Sequence, residues 1–357
     1  MNRFLLTERL RAYVHKLISD KKGLLCLQRL LWRWRDDDYL EAVLKAGYDP
    51  NTMEMRTFGN DNLEKNIYFI EINGEMGLGG YLRHTLHALF EAEKLGFVPV
   101  VRYADNCPCK EIVKINGTDN PFEYYFNQTS SVSVEEVYRS SRVFLFKVQH
   151  LWRIERELGN LNPDLPAGYH VEEAYLKRMA LLVKKYIRLN CVVEKKLKED
   201  EEELFRDVHD MGRVLGIHIR GTDFALQWKN HPNIVSHEDY FIAVDKALSQ
   251  GFSHIFLATD DSRYVERFEE RYGSKLLYYK EVYRSDGICN IAFENRARDS
   301  SPYDKGMDVL RDMYALARCG GLIAGLSQVS IMARILSLSM ERHYTYLDVL
   351  NNGIYKG

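Results

Sequence analysis

The feature that most constrains the fold is the regular alternation of short apolar runs and longer amphipathic stretches after Gly212. The runs are typical of strands. The stretches between them have helical spacing and capping residues, with Ser236 before one and Asp261 and Ser262 before another. The strand candidates are "VLGIHI", "HIFLAT", "KLLYY", "GLIAG" and "YTYL". This repetition predicts an α/β fold with a parallel, doubly wound sheet, whose ligands bind beyond the carboxyl ends of the strands.

A second α/β unit precedes this one. The run "NIYFIEI" is typical of a strand, and a glycine-rich loop, an amphipathic helix ending at Gly96 and a strand "FVPVVRY" follow it. A length of 357 residues suits two domains better than one core. We therefore predict an N-terminal helical segment over 1–60, an α/β domain over 61–205 and a Rossmann-like domain over 206–357. A charged helix in "VVEKKLKEDEEELFRDVHDMG" marks the boundary, with a solvated surface.

Composition excludes several classes of protein. A formal net charge of -2 gives no reason to expect a nucleic-acid partner. The six cysteines are scattered and form no zinc pattern, so free thiols are expected. The first residues lack the unbroken apolar segment of a signal peptide, and no run reaches the roughly 18 apolar residues of a membrane span. We expect a cytoplasmic protein.

The basic, leucine-rich helices predicted near the N-terminus leave two alternatives open. They are either a means of peripheral attachment to the inner face of the membrane or ordinary packing helices with a solvated face. The second alternative is favoured because Glu8, Asp20 and the run 36–38 interrupt the basic character.

Polar side chains are concentrated where three of the predicted strands end. The first strand ends in "HIRGTD", a second in "TDD", and a third in "GLSQVS". Because the carboxyl ends of parallel strands lie at one edge of a sheet, these side chains are expected to converge. The candidate ligand-binding residues are His218, Arg220, Thr222, Asp223, Asp260, Ser327, Gln328 and Ser330.

Arg220 is the central candidate. A guanidinium keeps its charge and presents a planar fork of donors that matches phosphate oxygens. It could therefore neutralise a departing diphosphate, or it could form an ion pair with Asp223. Asp260 could bind a metal or ribose hydroxyls, whereas Asp261 is expected to cap its helix. His218 could equally be a core histidine with a satisfied hydrogen bond.

The glycine-rich loop of the first α/β unit does not match a dinucleotide-binding motif. Gly77 and Gly79 are present, but Leu82 stands at the third glycine position, and no acidic residue ends the following strand. A redox Rossmann enzyme is therefore disfavoured. Gly77 and Gly79 could bind a phosphate or a sugar at the start of the helix, or could only make a tight turn.

The segment "HIRGTDF" resembles the H-x-R-x-T-D motif of GDP-fucose-dependent fucosyltransferases, a group that includes α-1,6-fucosyltransferases, nodulation fucosyltransferases and O-fucosyltransferases. Two further segments are similar in the same order, "FLATDDSRYVERFEERY" and "KGMDVLRDMYALARCGGLIAGLSQVSIMARILS". The glycine-rich loop and its helix are a weaker match. The resemblance implies a GT-B arrangement, in which an acceptor-side α/β domain faces a nucleotide-sugar-binding domain.

The resemblance also implies roles for individual residues. Arg220 would hold the β-phosphate of GDP-fucose, and His218 and Asp223 would shape the donor pocket. The guanosine and phosphate side would be bound by Asp260, Asp312, Ser327 and Gln328. The reaction would invert the sugar carbon without a metal or other cofactor, and the partners would be a nucleotide-sugar donor and a carbohydrate acceptor.

This chain departs from the pattern of the α-1,6 and nodulation enzymes in three respects. Gly221 replaces a second arginine, Phe224 replaces a lysine, and a downstream glutamate has no clear counterpart in "ALQWKNHPN". The base that deprotonates the acceptor is expected to be a carboxylate, either Asp223 or Glu75. We therefore expect an inverting fucosyltransferase acting on a glycan or glycolipid-linked hydroxyl. The alternatives are a related enzyme that uses another nucleotide sugar and a catalytically silent nucleotide-sugar-binding protein.

Overall fold

The computed structural model describes residues 54–74, 76–147, 172–222, 231–286 and 301–355, together with residues 151, 154, 158 and 169. The predicted N-terminal helices therefore lie almost entirely outside the described residues, as do Glu75 and Asp223. No helix in the described ranges is long and apolar enough to cross a membrane. The cysteines within these ranges are free thiols, as expected: Cys107, Cys109, Cys191 and Cys319.

The first sheet has four strands in the order β1-β4-β2-β3. They are β1 (Glu54–Arg56), β2 (Ile67–Ile72), β3 (Val98–Tyr103) and β4 (Val143–Leu145). All pairings are parallel except that of β1 with β4. Successive side chains of β2 alternate between two apolar clusters, so both faces of this strand are covered.

Helix α1 (Leu78–Leu95) crosses from β2 to β3, as the sequence predicts. Most of its residues are buried, and it ends at Gly96, whose φ of 67° is in the left-handed region that glycine adopts readily. Three further helices belong to this part of the chain: α2 (Val134–Val137), α3 (Glu173–Tyr186) and α4 (Cys191–Leu204).

The predicted charged helix corresponds to α4. The Asn190 side chain caps its start by accepting a hydrogen bond from the Val193 amide. Only Val193 and Leu197 are buried. The exposed face carries ion pairs at i,i+4 spacing, such as Lys195 with Glu199, so the charge run is a solvated surface as expected.

The second sheet has five strands in the order β7-β6-β5-β8-β9, and all its pairings are parallel. They are β5 (Val214–Ile219), β6 (His254–Thr259), β7 (Leu276–Leu277), β8 (Gly321–Gly325) and β9 (Tyr346–Leu350). The helices are α5 (His237–Leu248), α6 (Ser262–Tyr272), α7 (Pro302–Arg318) and α8 (Gln328–Ser339). Helices α5 and α6 cover one face, whereas α7 and α8 cover the other. The expected doubly wound α/β fold is confirmed.

Strand β9 begins two residues later than the run "YTYL" suggests. The Tyr344 hydroxyl donates hydrogen bonds to the carbonyls of Leu316 and Ala333, and the Thr345 amide donates to Gly320. These contacts anchor the start of the run to α7, α8 and the turn before β8. The strand register therefore starts only at Tyr346, opposite Gly321.

One apolar core joins the two parts of the chain. Helices α7 and α8 contribute Met313 and Ile335, among others, to the cluster that also contains Tyr81 of α1 and Met179 of α3. A Cβ atom added to Gly79 would lie 3.3 Å from the Gln328 carbonyl carbon. The first turns of α1 and α8 are therefore in contact, and the loop before α1 faces the carboxyl edge of the second sheet.

Candidate functional site

The candidate site lies where the order of the second sheet reverses, between β5 and β8. Strands β5, β6 and β8 end nearly level, since Ile219 pairs with Thr259 and His218 with Ala324. The loops after these strands therefore leave the same edge, which is where doubly wound sheets bind ligands. The three predicted polar segments converge as expected.

Asp260 organises the loop after β5. One carboxylate oxygen accepts a hydrogen bond of 2.8 Å from the Gly221 amide, and the other accepts one of 2.7 Å from the Thr222 hydroxyl. The second oxygen also lies 3.1 Å from Nη1 of Arg220. Thr222 is fully buried, and its hydroxyl donates its hydrogen bond to Asp260. Both carboxylate oxygens thus hold the loop that carries Arg220.

The side chain of Arg220 remains 25% exposed, at the rim of the sheet. It forms an ion pair with Asp260 from the neighbouring strand end. Asp223, the partner considered from the sequence, lies outside the described residues. A guanidinium keeps its positive charge in such a pair. The loop therefore holds a positive charge at the carboxyl edge of the second sheet.

His218 is buried and shares a hydrogen bond of 3.2 Å with the Ser327 hydroxyl, although 109 residues separate the two in sequence. Burial lowers the pKa of His218 to about 4, although Asp260 acts in the opposite direction. The imidazole is therefore neutral at pH 7. Its position links the end of β5 to the start of α8.

Ser327 caps α8 by accepting a hydrogen bond from the Ser330 amide. The Ser330 hydroxyl donates to the Gly325 carbonyl at 2.8 Å, so both serines hold the turn after β8. Gln328 opens the helix at its contact with Gly79. By contrast, no atom of the described residues beyond its chain neighbours lies within 4 Å of a Cβ placed on Gly77.

Asp261 caps α6, as predicted. It is fully buried, and its carboxylate accepts hydrogen bonds from the Arg263 amide at 3.0 Å and from Arg263 Nε at 2.9 Å. A Cβ atom on Gly221 would lie only 2.7 Å from an oxygen of this carboxylate. Asp261 thus leaves no room for a side chain at the position where the related motif has its second arginine.

Two charged residues at this site face each other without a direct contact. Asp312, on α7, is a predicted site residue, whereas Arg284 was not predicted. Burial raises the pKa of Asp312 to about 7, and Arg284 is the strongest opposing influence. Burial lowers the pKa of Arg284, and Asp312 is again the strongest opposing influence. Within the described residues, no ion pair or hydrogen bond joins them.

Both residues keep unused hydrogen-bonding capacity among the described residues. Arg284 donates through Nη1 to the Val282 carbonyl, but its Nε and Nη2 have no hydrogen bond. Oδ1 of Asp312 also has none. The Arg284 guanidinium lies over the Tyr278 ring, 5.1 Å from its centre, where the face of the ring attracts a cation.

Arg284 belongs to the same edge of the sheet because its neighbour Ser285 is bonded to the end of β6. The Ser285 amide donates to the Asp260 carbonyl at 3.0 Å. Sequence reasoning missed Arg284 because it lies in no recognisable motif. Its place is set by a single bridge, between Asp261 and Ser285.

Of the predicted site residues, Glu75 and Asp223 lie outside the described residues. In the described ranges, no group of three or more histidine, cysteine or acidic residues is arranged to hold a metal ion. Two sets of contacts join several of the other candidates. Arg220 and Thr222 bond to Asp260, and His218 bonds to Ser327 at the start of α8.

No protein-family profile matches the chain. No curated protein matches it either. Among solved structures, the NodZ α-1,6-fucosyltransferase soaked with GDP-fucose is 15% identical over 76% of this chain and 92% of that one, with a TM-score of 0.47. POFUT1 in complex with GDP is 12% identical over 81% of this chain and 99% of that one, with a TM-score of 0.42. The fold class rests on the sheets and helices of this chain.

Proposed function

We propose that this chain is a glycosyltransferase of GT-B arrangement that transfers fucose from GDP-fucose to a hydroxyl of a glycan or glycolipid-linked acceptor. The observation that carries the proposal is the placement of Arg220 by Asp260 at the switch point of the second sheet. A diphosphate bound there meets a guanidinium and the positive end of α8. The sequence resemblance supports the same donor.

Arg220 supplies the charge stabilisation that such a transfer needs. As the bond between the sugar carbon and the phosphate oxygen breaks, its electron pair passes to GDP. Hydrogen bonds from a guanidinium to the developing anion contribute roughly 1.5–3 kcal/mol each. Because Asp260 already holds the side chain, little reorganisation is needed during the reaction. Arg220 thereby stabilises the negative charge that a divalent cation stabilises in other transferases, so no metal is required.

The acceptor oxygen attacks the sugar carbon from the face opposite to GDP, which inverts that carbon. The acceptor proton passes to a carboxylate, either Asp223 or Glu75. A base that is close to the attacking hydroxyl contributes about 10²–10⁴ in rate.

Arg284 and Asp312 favour guanine as the base. Guanine presents a carbonyl oxygen beside two N–H donor groups on one edge. The carbonyl can accept from Arg284, while Asp312 accepts from the ring N–H and the exocyclic amine. Adenine has the opposite pattern at these atoms and would leave both charges unpaired, which is costly in a buried site. Uracil offers the carbonyl and the ring N–H but no amine.

Calorimetric titration with GDP, IDP, UDP and ADP tests the donor site. GDP should bind at least about tenfold more tightly than IDP, which lacks the amine that Asp312 would accept from, and Arg284→Met should weaken GDP and IDP alike and so reduce their advantage over ADP. Arg271→Met, on the exposed face of α6, is the matched control. Mass spectrometry of GDP-fucose mixed with a glycan panel then tests transfer. Equal affinity for all four nucleotides would contradict the base assignment, and binding without turnover would indicate a silent binding protein.

A further inference from the structure

A second cleft lies on the first sheet, away from the donor site. It has a volume of about 460 Å³ and lies on the face of the sheet that carries Phe69, opposite α1. Its wall is formed by Phe58, Phe69 and Tyr138, the residue that follows α2. Polar residues line the end nearest the carboxyl edge, among them Asn73 and Lys147.

The three aromatic rings form a fixed surface. The Tyr138 ring stands edge-on to Phe58, with centroids 5.4 Å apart, and edge-on to Phe69, with centroids 5.7 Å apart. Phe69 is buried, but Phe58 is 38% and Tyr138 is 45% exposed. Exposed aromatic rings in a concave, partly polar surface are typical of a ligand site rather than of a packed core.

The charged residues that line the cleft, Arg56, Glu71 and Lys147, are already paired with neighbouring residues. Glu54 bonds Lys147 at 2.7 Å and Arg56 at 2.5 Å, while Glu71 bonds Arg102 at 2.5 Å. A strongly charged ligand would have to break one of these pairs. A neutral ligand whose groups both donate and accept hydrogen bonds can bind alongside them.

Two further groups of the cleft can both donate and accept hydrogen bonds. Within the described residues, the side-chain amide of Asn73 and the hydroxyl of Tyr138 make no hydrogen bond. Each can both donate and accept. Sugar hydroxyls do the same, and the apolar C–H faces of a sugar ring pack against aromatic rings. The lining therefore fits a neutral saccharide.

The cleft is connected to the donor site by a short loop. Asn73 follows β2 directly, and Gly79, which contacts Gln328, is only six positions further along the chain. That length of chain spans at most about 20 Å. The sheet lies between α1 and the cleft, so a bound molecule reaches both places only by passing around the carboxyl edge. An extended oligosaccharide can span such a distance.

We propose that this cleft binds the part of an oligosaccharide acceptor that is remote from the hydroxyl receiving the sugar. This inference rests on the proposed function, because it takes the donor site as the place of transfer. It implies that the enzyme selects acceptors by length, with Phe58 and Tyr138 as the stacking surface and Asn73 as a hydrogen-bonding partner.

The test uses a broad array of neutral and charged oligosaccharides with the full-length protein and its variants Phe58→Ala, Tyr138→Ala and Asn73→Ala. Each aromatic variant should weaken binding of the recognised glycans by at least about tenfold. Leu63→Ala, a control on a leucine that is 61% exposed and outside the cleft, should change it by no more than about twofold. Asn73→Ala alters only an exposed amide, so its effect does not depend on core packing.

GDP titration of the same samples separates the two proposals. If GDP binds but no neutral glycan does, or if the cleft variants bind glycans as tightly as the parent, the cleft assignment is wrong and the donor site is unaffected. If glycans bind through Phe58 and Tyr138 but GDP does not bind, the proposed function is wrong. Preference for acidic glycans would also overturn the assignment.

Discussion

Arg284 and Asp312 face each other closely enough for each to be the strongest charged influence on the pKa of the other, yet no ion pair joins them. Such an arrangement is unfavourable in the free protein, because burial penalises both charges and neither is compensated by a hydrogen bond between them. A ligand that bridges the two groups supplies what each lacks. The donor site is therefore expected to be less stable empty than filled.

Asp312→Asn is predicted to stabilise the free protein at pH 8. Burial raises the pKa of Asp312 to about 7 from its ordinary 3.8, so its proton is retained longer in the folded state than in the unfolded one. The contribution of protonated Asp312 to the free energy of unfolding is therefore fully present below pH 3.8 and is lost as the pH rises to about 7. The variant should gain up to about 4 kcal/mol at pH 8. Urea unfolding measures this gain, and an unchanged midpoint would contradict it.

Arg220→Ala is predicted to reduce transfer by about 10²–10³, because the leaving diphosphate loses its fixed guanidinium. Arg220→Lys should recover little of this loss, since an ammonium cannot reproduce the planar fork. Arg213→Ala is the matched control, because Arg213 precedes the same strand at its opposite end and its exposed side chain donates to the Gly251 carbonyl. Initial rates with GDP-fucose measure the effect. Full activity of Arg220→Ala would refute the assignment.

Gly221→Ala is predicted to destabilise the protein by about 1–3 kcal/mol. The new Cβ would lie 2.7 Å from a carboxylate oxygen of Asp261 and 2.8 Å from its Cβ, and both belong to a buried cap that cannot move freely. Gly77→Ala is the control: its φ is -74°, and within the part of the chain that the structure describes no atom beyond its chain neighbours lies within 4 Å of the added Cβ. Thermal unfolding should separate the two variants. Equal melting temperatures would show that the loop adapts.

His218 is predicted to make stability depend on pH below neutrality. Burial lowers its pKa to about 4, so between pH 6.5 and pH 4 the unfolded chain binds a proton that the folded chain does not. The contribution of neutral His218 to the free energy of unfolding is fully present above pH 6.5. It falls as the pH decreases, by about 2 kcal/mol at pH 5. His218→Asn should lack this part of the decline.

Urea unfolding of the parent and His218→Asn at pH 7.5 and pH 5 isolates this contribution. His84 and His87 also have pKa values lowered by burial, but both proteins contain them, so their contribution cancels in the comparison. If the free energy of unfolding falls equally in the two proteins between pH 7.5 and pH 5, His218 is not responsible for the decline.

Much of the second sheet could be predicted from local signals. Buried runs such as "VLGIHI" and "HIFLAT" are strands, and the caps at Ser236 and Asp261 begin helices as expected. The first sheet was harder to predict, because β1 and β4 have only three residues each. Strands of that length owe their conformation to their neighbours rather than to their own sequence.

The candidate site was predictable only in part. Strand ends placed His218, Arg220 and Asp260 at one edge, because parallel topology dictates it. The bond between His218 and Ser327, and the position of Arg284 beside Asp312, depend on side-chain packing between distant segments. No spacing in the sequence specifies such contacts.

The core shared by α1, α3, α7 and α8 also determines how the molecule responds to cleavage. A protease cut in the segment between Phe205 and Gly212 severs the chain without separating these helices. The two fragments are expected to co-purify and to retain nucleotide affinity, whereas either fragment produced alone would expose a large apolar face and aggregate.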